Sequence, residues 1–259
     1  ADPSGRLPSG TRVVAILGGM GRTRNGSYAE LVTVPATNVV AVHSPLGWAD
    51  LAAVPEVYAT AWSGLFDNLD LRPGETVLVR GATSSLGQAA VNLAVDHGAT
   101  VLATTRNPAH VPLLKELGAD DALIDDGALA VQVGERGIVV DAVFDVVGNK
   151  VLRDSLAMVR PRGRVCQLGF LGGFEPVRDF DPIGDLPSGV RFSFFGSAFV
   201  LGTPAFPLAD VPLHQIYDKI GAGMLRARPV RVFRFDEIVE AHRIMEAGEA
   251  LGKMVVVLD

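Results

Sequence analysis

Residues 76–87, Thr-Val-Leu-Val-Arg-Gly-Ala-Thr-Ser-Ser-Leu-Gly, constrain this chain more than any other stretch. An apolar strand, Thr76 to Val79, runs into a turn of very small residues. The turn opens a helix over 85–97 whose apolar face carries Ala89, Ala90, Leu93 and Ala94, and Gly98 stops it. A helix start leaves backbone N–H groups unpaired and carries partial positive charge. Small side chains let a phosphate approach the backbone. Together they predict a diphosphate pocket of the kind that holds a dinucleotide.

The rest of residues 73–170 alternates strand and helix. Strand Thr100–Thr104 comes next, and Pro108 opens a helix that carries Leu113, Leu114 and Leu117 and stops at Gly118. Leu123–Ile124 reads as a short strand, Val139–Phe144 as a strongly apolar one, Val151–Val159 as a helix and Arg164–Leu168 as a further strand. Near-continuous apolar strands joined by helices predict an α/β fold, a doubly wound parallel Rossmann sheet covered on both faces. Residues 1–60 read differently. Arg12–Leu17, Ser27–Val34 and Val39–Val42 are strand-like, with no helix between them. The tail reads as helices over 212–222 and 236–246 and a closing strand, Met254–Leu258.

Composition excludes several classes. The chain has 259 residues, enough for one or two domains, and 48% are hydrophobic and 20% charged, as in a soluble globular protein. Net charge is −6 and no Lys/Arg stripe forms, so no nucleic-acid partner is expected. The single cysteine, Cys166, excludes an intrachain disulfide framework and a multi-cysteine zinc site. It fits a reducing compartment, and a cytoplasmic protein is expected. The first ten residues, polar and rich in Gly and Pro, do not read as a targeting signal. Phe192–Ala209 is uncharged, but Gly196, Gly202, Pro204 and Pro207 interrupt it, so a strand and loop are expected rather than a membrane span.

Where a dinucleotide fingerprint has three glycines, this chain has Ala82, Ser84 and Gly87, and Ser84 and Ser85 could add hydroxyl donors. The second strand ends in Thr104-Thr105-Arg106-Asn107. An NAD site usually places Asp or Glu there for the ribose 2′-hydroxyl. Arg106, 19 positions beyond Gly87, can instead pair with a 2′-phosphate, which favours NADP(H). The alternative is a solvated arginine at a strand end.

Further segments converge. Gly26-Ser27-Tyr28-Ala29-Glu30-Leu31-Val32-Thr33-Val34-Pro35, the preceding Gly10-Thr11-Arg12-Val13-Val14, Pro55-Glu56-Val57-Tyr58-Ala59-Thr60-Ala61-Trp62, Leu117-Gly118-Ala119-Asp120 and Gly252-Lys253-Met254-Val255-Val256 stand at matching places. Jointly they resemble the medium-chain dehydrogenases/reductases, in their zinc-free quinone oxidoreductase (zeta-crystallin-like) branch. The resemblance covers nearly the whole chain. It implies NADPH in a cleft between a GroES-like catalytic domain and a Rossmann domain. The implied phosphate turn is Ala82, Thr83, Ser84, Ser85 and Leu86, with Thr60 on the nicotinamide side. Thr105 and Arg106 would meet the adenosine phosphate, Val147, Gly148, Leu168, Gly169 and Phe170 would line the cofactor, and Lys253 would approach from the tail. Two positions depart from the branch: His110 stands where a lysine is common, and Asp125 where a tyrosine is.

The zinc-dependent relatives carry a four-cysteine lobe where this chain has Gly18–Asn25, and a catalytic zinc ligand where it has Glu56. No metal site is expected here. The implied layout is a partial, GroES-like β-barrel domain over residues 1–58, the Rossmann domain over 59–198 and a return to the catalytic domain over 199–259. The family's catalytic domain ordinarily begins before the segment matching Ala1, so catalytic residues are not assigned; Tyr58 is the phenol nearest the expected cleft. The leading expectation is a zinc-independent, NADPH-dependent reductase of a quinone or an α,β-unsaturated carbonyl (an enone). The alternatives are a zinc-dependent alcohol or aldehyde dehydrogenase, and a non-catalytic NADPH-binding protein. A homodimer is expected through the strand near 190–200.

Overall fold

In the computed structural model, which describes Asp2 and residues 5–258, the first apolar run pairs with the third and not with the second. Strand β1 (Val13–Ala15) lies antiparallel to β2 (Val39–Ala41), Val14 opposite Val40. Residues 27–34, expected as a strand, are irregular, with Tyr28 64% and Leu31 90% exposed. Their composition suits a strand, but an extended segment is held only by a ladder partner, and none of the described residues supplies one. Helices α1 (Trp48–Ala52) and α2 (Pro55–Trp62) follow, and α2 runs on as a π-helical turn over Ser63–Asn68.

The alternation then appears as expected. The elements are β3 (Thr76–Arg80), α3 (Ser85–Asp96), β4 (Thr100–Thr105), α4 (Val111–Glu116), β5 (Asp121–Ile124), α5 (Leu129–Glu135), β6 (Val140–Asp145), α6 (Leu152–Met158), β7 (Val159–Gln167), a short α7 (Pro182–Asp185) and β8 (Arg191–Phe194). Neither α5 nor α7 was expected. Strand β7 begins earlier than expected because its first residue already pairs: Val159 meets Val140, then the register shifts and Arg164 meets Ala142. The six strands form one parallel sheet in the order β5-β4-β3-β6-β7-β8. The order reverses between β3 and β6, and a crevice opens at such a switch point beyond the carboxyl ends of the strands. Val77, Leu78 and Val79 are fully buried, which is why β3 reads as one unbroken apolar run. On one face Leu78, Leu102 and Val143 pack with Leu129, Val133 and Leu156 of the covering helices. The π-helical turn sits tightly too: a Cβ on Gly64 would stand 2.4 Å from Leu168 and 2.6 Å from Phe144.

The remaining elements are α8 (Ser197–Val200), α9 (Leu213–Gly221), β9 (Arg231–Arg234), α10 (Ile238–Glu246) and β10 (Met254–Val257). Strand β9, also unexpected, runs parallel to β10 with Val232 opposite Val255. Residues 192–209 contain a short strand end, the helix α8 and loops, and no helix among the described residues is long and apolar enough to cross a membrane. The chain divides into two units, Thr60–Gly196 and the pair of segments Ala1–Ala59 and Ser197–Asp259. The first holds the six-stranded sheet; the second holds the two small sheets. No closed barrel forms among the described residues.

Candidate cofactor site

The turn after β3 keeps three amide groups open. Gly81 donates to Thr104 Oγ1 and Ala82 to the Thr104 carbonyl, each at 3.2 Å. Ser84 caps α3: its Oγ accepts from Gly87 N at 3.0 Å and donates to the Gly81 carbonyl at 2.8 Å. The Ser84 hydroxyl is thus spent inside the turn and is not the free phosphate donor that its chemistry suggests. The N–H groups of Thr83, Ser85 and Leu86 make no hydrogen bond within the described residues. A helix start with open amides is where an anion gains both hydrogen bonds and the macrodipole.

Two glycines make the turn possible. Gly81 has φ +80°, in the left-handed region. A Cβ on Gly87 would lie 2.4 Å from the Gly81 carbonyl oxygen and 2.6 Å from Ala82 Cα. Any side chain there would push α3 off the strand end.

Beside the turn lies a cavity of about 230 Å³, lined among others by Gly81, Thr83, Thr105, Arg106 and Val147. The drug-sized range is about 300–1,000 Å³, so this space suits one end of a dinucleotide. Four expected site residues therefore meet here: Thr83, Thr105, Arg106 and Val147. Thr105 Oγ1 is engaged locally, donating to the Asn107 carbonyl at 3.2 Å and accepting from Asn107 N at 3.1 Å. It shapes the loop that carries Arg106. Lys150, which sequence reasoning missed, lines the same cavity. Neither Arg106 nor Lys150 has an ion-pair partner among the described residues. The signal for Lys150 was its position just past Val147-Gly148 at the end of β6, the same strand-end logic that selected Arg106.

Gly148, Leu168, Gly169 and Phe170 form the adjoining strand ends rather than the cavity wall. Gly148 has φ +86°, and a Cβ on it would lie 2.3 Å from the Gly169 carbonyl oxygen. The ends of β6 and β7 thus close on each other through backbone alone. Phe170 stacks on Phe174 at 5.2 Å between centroids and tilts against Phe194 at 5.7 Å. Thr60 is buried outside the cavity, and its Oγ1 has no hydrogen-bond partner. An orphaned buried hydroxyl costs free energy and suits a ligand acceptor. Tyr58 is also buried with an unpartnered hydroxyl, and burial raises its phenol well above the ordinary value.

Beneath the turn lies a charge network that sequence reasoning missed. Arg80, 0% exposed, holds Asp125 through Nε and Nη2 at 2.8 Å each and Asp154 through Nη1 at 2.7 Å. Burial opposes its charge, but the Asp125 hydrogen bonds and the surrounding carboxylates outweigh it and raise its pKa. Arg80 Nη1 also donates to Ser155 Oγ at 3.0 Å, and Ser155 donates to Asp145 at 2.7 Å. Asp145 Oδ1 accepts the N–H groups of Val147 and Gly148, both at 2.8 Å. Burial pushes the Asp145 carboxyl up, against the pull of Ser155, Gly148, Arg80 and Val147. The ends of β3, β5 and β6 are thereby tied together.

The family model described as zinc-binding dehydrogenase matches residues 117–256, more than half of the chain. The chain belongs to this zinc-binding dehydrogenase family. Its structural neighbours place it among the medium-chain dehydrogenases/reductases, with enoyl reductases and quinone oxidoreductases. One similar solved structure is the CurK enoyl reductase, 27% identical, TM-score 0.73, covering 88% of this chain and 68% of that one. Another is mycobacterial Rv1454c complexed with NADPH, 25% identical, TM-score 0.80, covering 97% and 75%. Among curated proteins, Highly reducing polyketide synthase 40 of Fusarium mangiferae is 30% identical over 262 residues, which is 97% of this chain and 10% of that protein. The chain spans between 4% and 11% of the length of the curated relatives it matches. These homologues are oxidoreductases, and the family binds nicotinamide dinucleotides.

The open amides, the orphaned Thr60 hydroxyl and the two unpaired cations fit such a dinucleotide. A zinc ion fits the described residues less well than the family's description suggests. No three His, Cys, Asp or Glu side chains among them gather into a metal-holding group. Glu56 faces a cation instead, Lys253 Nζ at 3.5 Å. Lys253 and Glu56 both belong to the second unit.

Proposed function

We propose that this zinc-binding dehydrogenase homologue is an NADPH-dependent, zinc-independent reductase of an α,β-unsaturated carbonyl, of the enoyl type. One observation carries the reading: the cavity beside the phosphate turn presents Arg106 and Lys150, both without ion-pair partners. The relatives, an enoyl reductase and a polyketide synthase, favour an enoyl acceptor over a quinone. In this reading Thr83, Ser85 and Leu86 bind the diphosphate through their amides. Arg106 and Lys150 hold the 2′-phosphate, and Val147, Gly148 and Gly169 bring backbone close to the nicotinamide half. When bound, NADPH supplies the reducing equivalent, while the protein supplies binding, orientation and exclusion of water.

The test is a steady-state assay of the full-length protein with NADPH against a crotonyl thioester, a benzoquinone and a primary alcohol with NADP. Turnover of the crotonyl thioester, undiminished by a zinc chelator, is expected. Turnover of the alcohol alone, abolished by chelation, overturns the reading in favour of zinc chemistry. Cofactor binding without turnover of any acceptor overturns it in favour of a non-catalytic NADPH-binding protein.

A cytoplasmic setting is part of the proposal, because a single cysteine fits a reducing compartment; Cys166 itself is buried, and burial pushes its thiol up to about 12, as for an inert core residue. A homodimer through β8 is also part of it. Strand β8 is the edge of the six-stranded sheet, and Phe192 and Phe194 on it are 38% and 50% exposed. Unpaired edges with apolar side chains invite strand pairing. Light scattering at micromolar concentration is expected to give twice the chain mass. Phe194→Lys is expected to give the monomer mass.

A further inference from the structure

Two carboxylates, Asp125 and Asp126, stand on the wall of the same cavity as Arg106 and Lys150. An anion there opposes a ligand phosphate, because charges facing a half-enclosed space are weakly screened. The two carboxylates are not equivalent. Asp126 is exposed and has no cation partner; its Oδ1 accepts from Ala128 N at 3.0 Å and Gln132 Nε2 at 2.9 Å. Asp125 is gripped from behind. Both of its oxygens accept from the buried Arg80, each at 2.8 Å, and Oδ1 also takes the Gly127 N–H at 3.0 Å. Arg80 shares its charge with Asp154, but Asp154 has other support: it accepts the Leu129 and Ala130 N–H groups at 3.2 and 3.0 Å. Only Asp125 has the bidentate grip, in which fork and carboxylate match.

We propose that Arg80 masks the Asp125 carboxylate and so sets how well this cavity tolerates a 2′-phosphate. The inference rests on the reading above that the cavity takes that phosphate. Without Arg80, two cations and two carboxylates would share the wall and balance. With it, the Asp125 charge is offset in part, and the balance on the wall shifts toward Arg106 and Lys150. Arg80 and the Gly127 N–H also take three of the carboxylate's four acceptor sites, which leaves it little capacity for ribose hydroxyls, the device by which NAD sites hold their ligand. Arg80 touches no ligand in this account; it is a positioning residue that acts through Asp125.

The test measures the affinities of 2′,5′-ADP and 5′-ADP by calorimetry on the full-length protein and three variants. Asp125→Asn removes the anion and leaves the charge of the buried Arg80 behind the wall, paired with Asp154. Its preference for 2′,5′-ADP over 5′-ADP is expected to rise by about three- to tenfold. Arg80→Met unmasks Asp125, and its preference is expected to fall by a similar factor. The double variant, with neither charge, is expected to return close to the wild-type ratio. Circular dichroism identifies folded variants; if Arg80→Met does not fold, Asp125→Asn and the double variant decide. A purely structural role predicts that Asp125→Asn weakens both ligands equally, and that result, or a falling ratio, overturns the proposal. A wild-type ratio near one overturns the reading of an NADPH site. Masking is judged on the change of ratio between variants, whatever the wild-type value.

Discussion

Replacing Arg106 with alanine is expected to raise the KM for NADPH by about 10- to 100-fold and to leave the KM for NADH within about twofold. The magnitude follows from the roughly 1.5–3 kcal/mol that a hydrogen bond to a charged group contributes. No described residue competes for this guanidinium: Arg106 has no ion-pair partner among them. The loop that presents it is shaped by Thr105 and by Asn107, whose side chain accepts from Ala109 N at 3.0 Å. The side chain is therefore held for a ligand and not for the fold, and its loss leaves the unfolding transition unchanged. Lys150→Ala is expected to act in the same direction with a smaller effect, because an ammonium lacks the planar fork that matches a phosphate. Initial-rate kinetics with both dinucleotides give the answer. Equal losses for NADPH and NADH would show that Arg106 serves the diphosphate or the loop and not the 2′-phosphate.

The strand, turn and helix around Gly81 were legible because each signal is local. The apolar run, the small residues and the helical period all lie within about two dozen positions, and the structure uses them in that order. The parallel sheet was legible for a related reason: buried parallel strands carry apolar residues on both faces. What failed was whatever depends on a distant partner. Residues 27–34 look like a strand in composition, but composition does not provide a ladder. Strand β9 was missed because its partner is β10, more than a helix away in sequence. Helix α5 buries only Leu129 and Val133, one turn apart, too few positions to show a period. Within the site, Ser84 and Thr105 were legible as hydroxyls near phosphate. Which of their hydrogen bonds were already taken was not. Arg80 and Asp125 lie 45 positions apart, and an arginine at a strand end reads as solvated until its partner is seen.

Arg80→Met is expected to destabilise the protein by about 3–5 kcal/mol, the cost of breaking a buried ion pair by removing one partner. Against a total stability of roughly 5–15 kcal/mol, that is a large fraction. The cause is what remains behind. Asp125 and Asp154 keep side chains that are only 8% and 16% exposed, and each loses the cation that compensates it. Ser155 loses one of its donors, and the support it gives to Asp145, and through it to Val147 and Gly148, slackens. Urea denaturation followed by circular dichroism is the measurement, with an unchanged slope expected because the surface exposed on unfolding hardly changes. Arg72→Met is the control. Arg72 pairs with Asp70 at 2.8 Å, but the two side chains are 69% and 56% exposed, and solvent screens the pair. No shift in midpoint is expected there. The double variant Arg80→Met/Asp125→Asn is expected to recover part of the loss, since it removes one of the two stranded carboxylates. If Arg80→Met proved as harmless as Arg72→Met, the network would not be what ties the ends of β3, β5 and β6 together. The placement of Val147 would then have to come from the tight backbone contact of Gly148 and Gly169 alone.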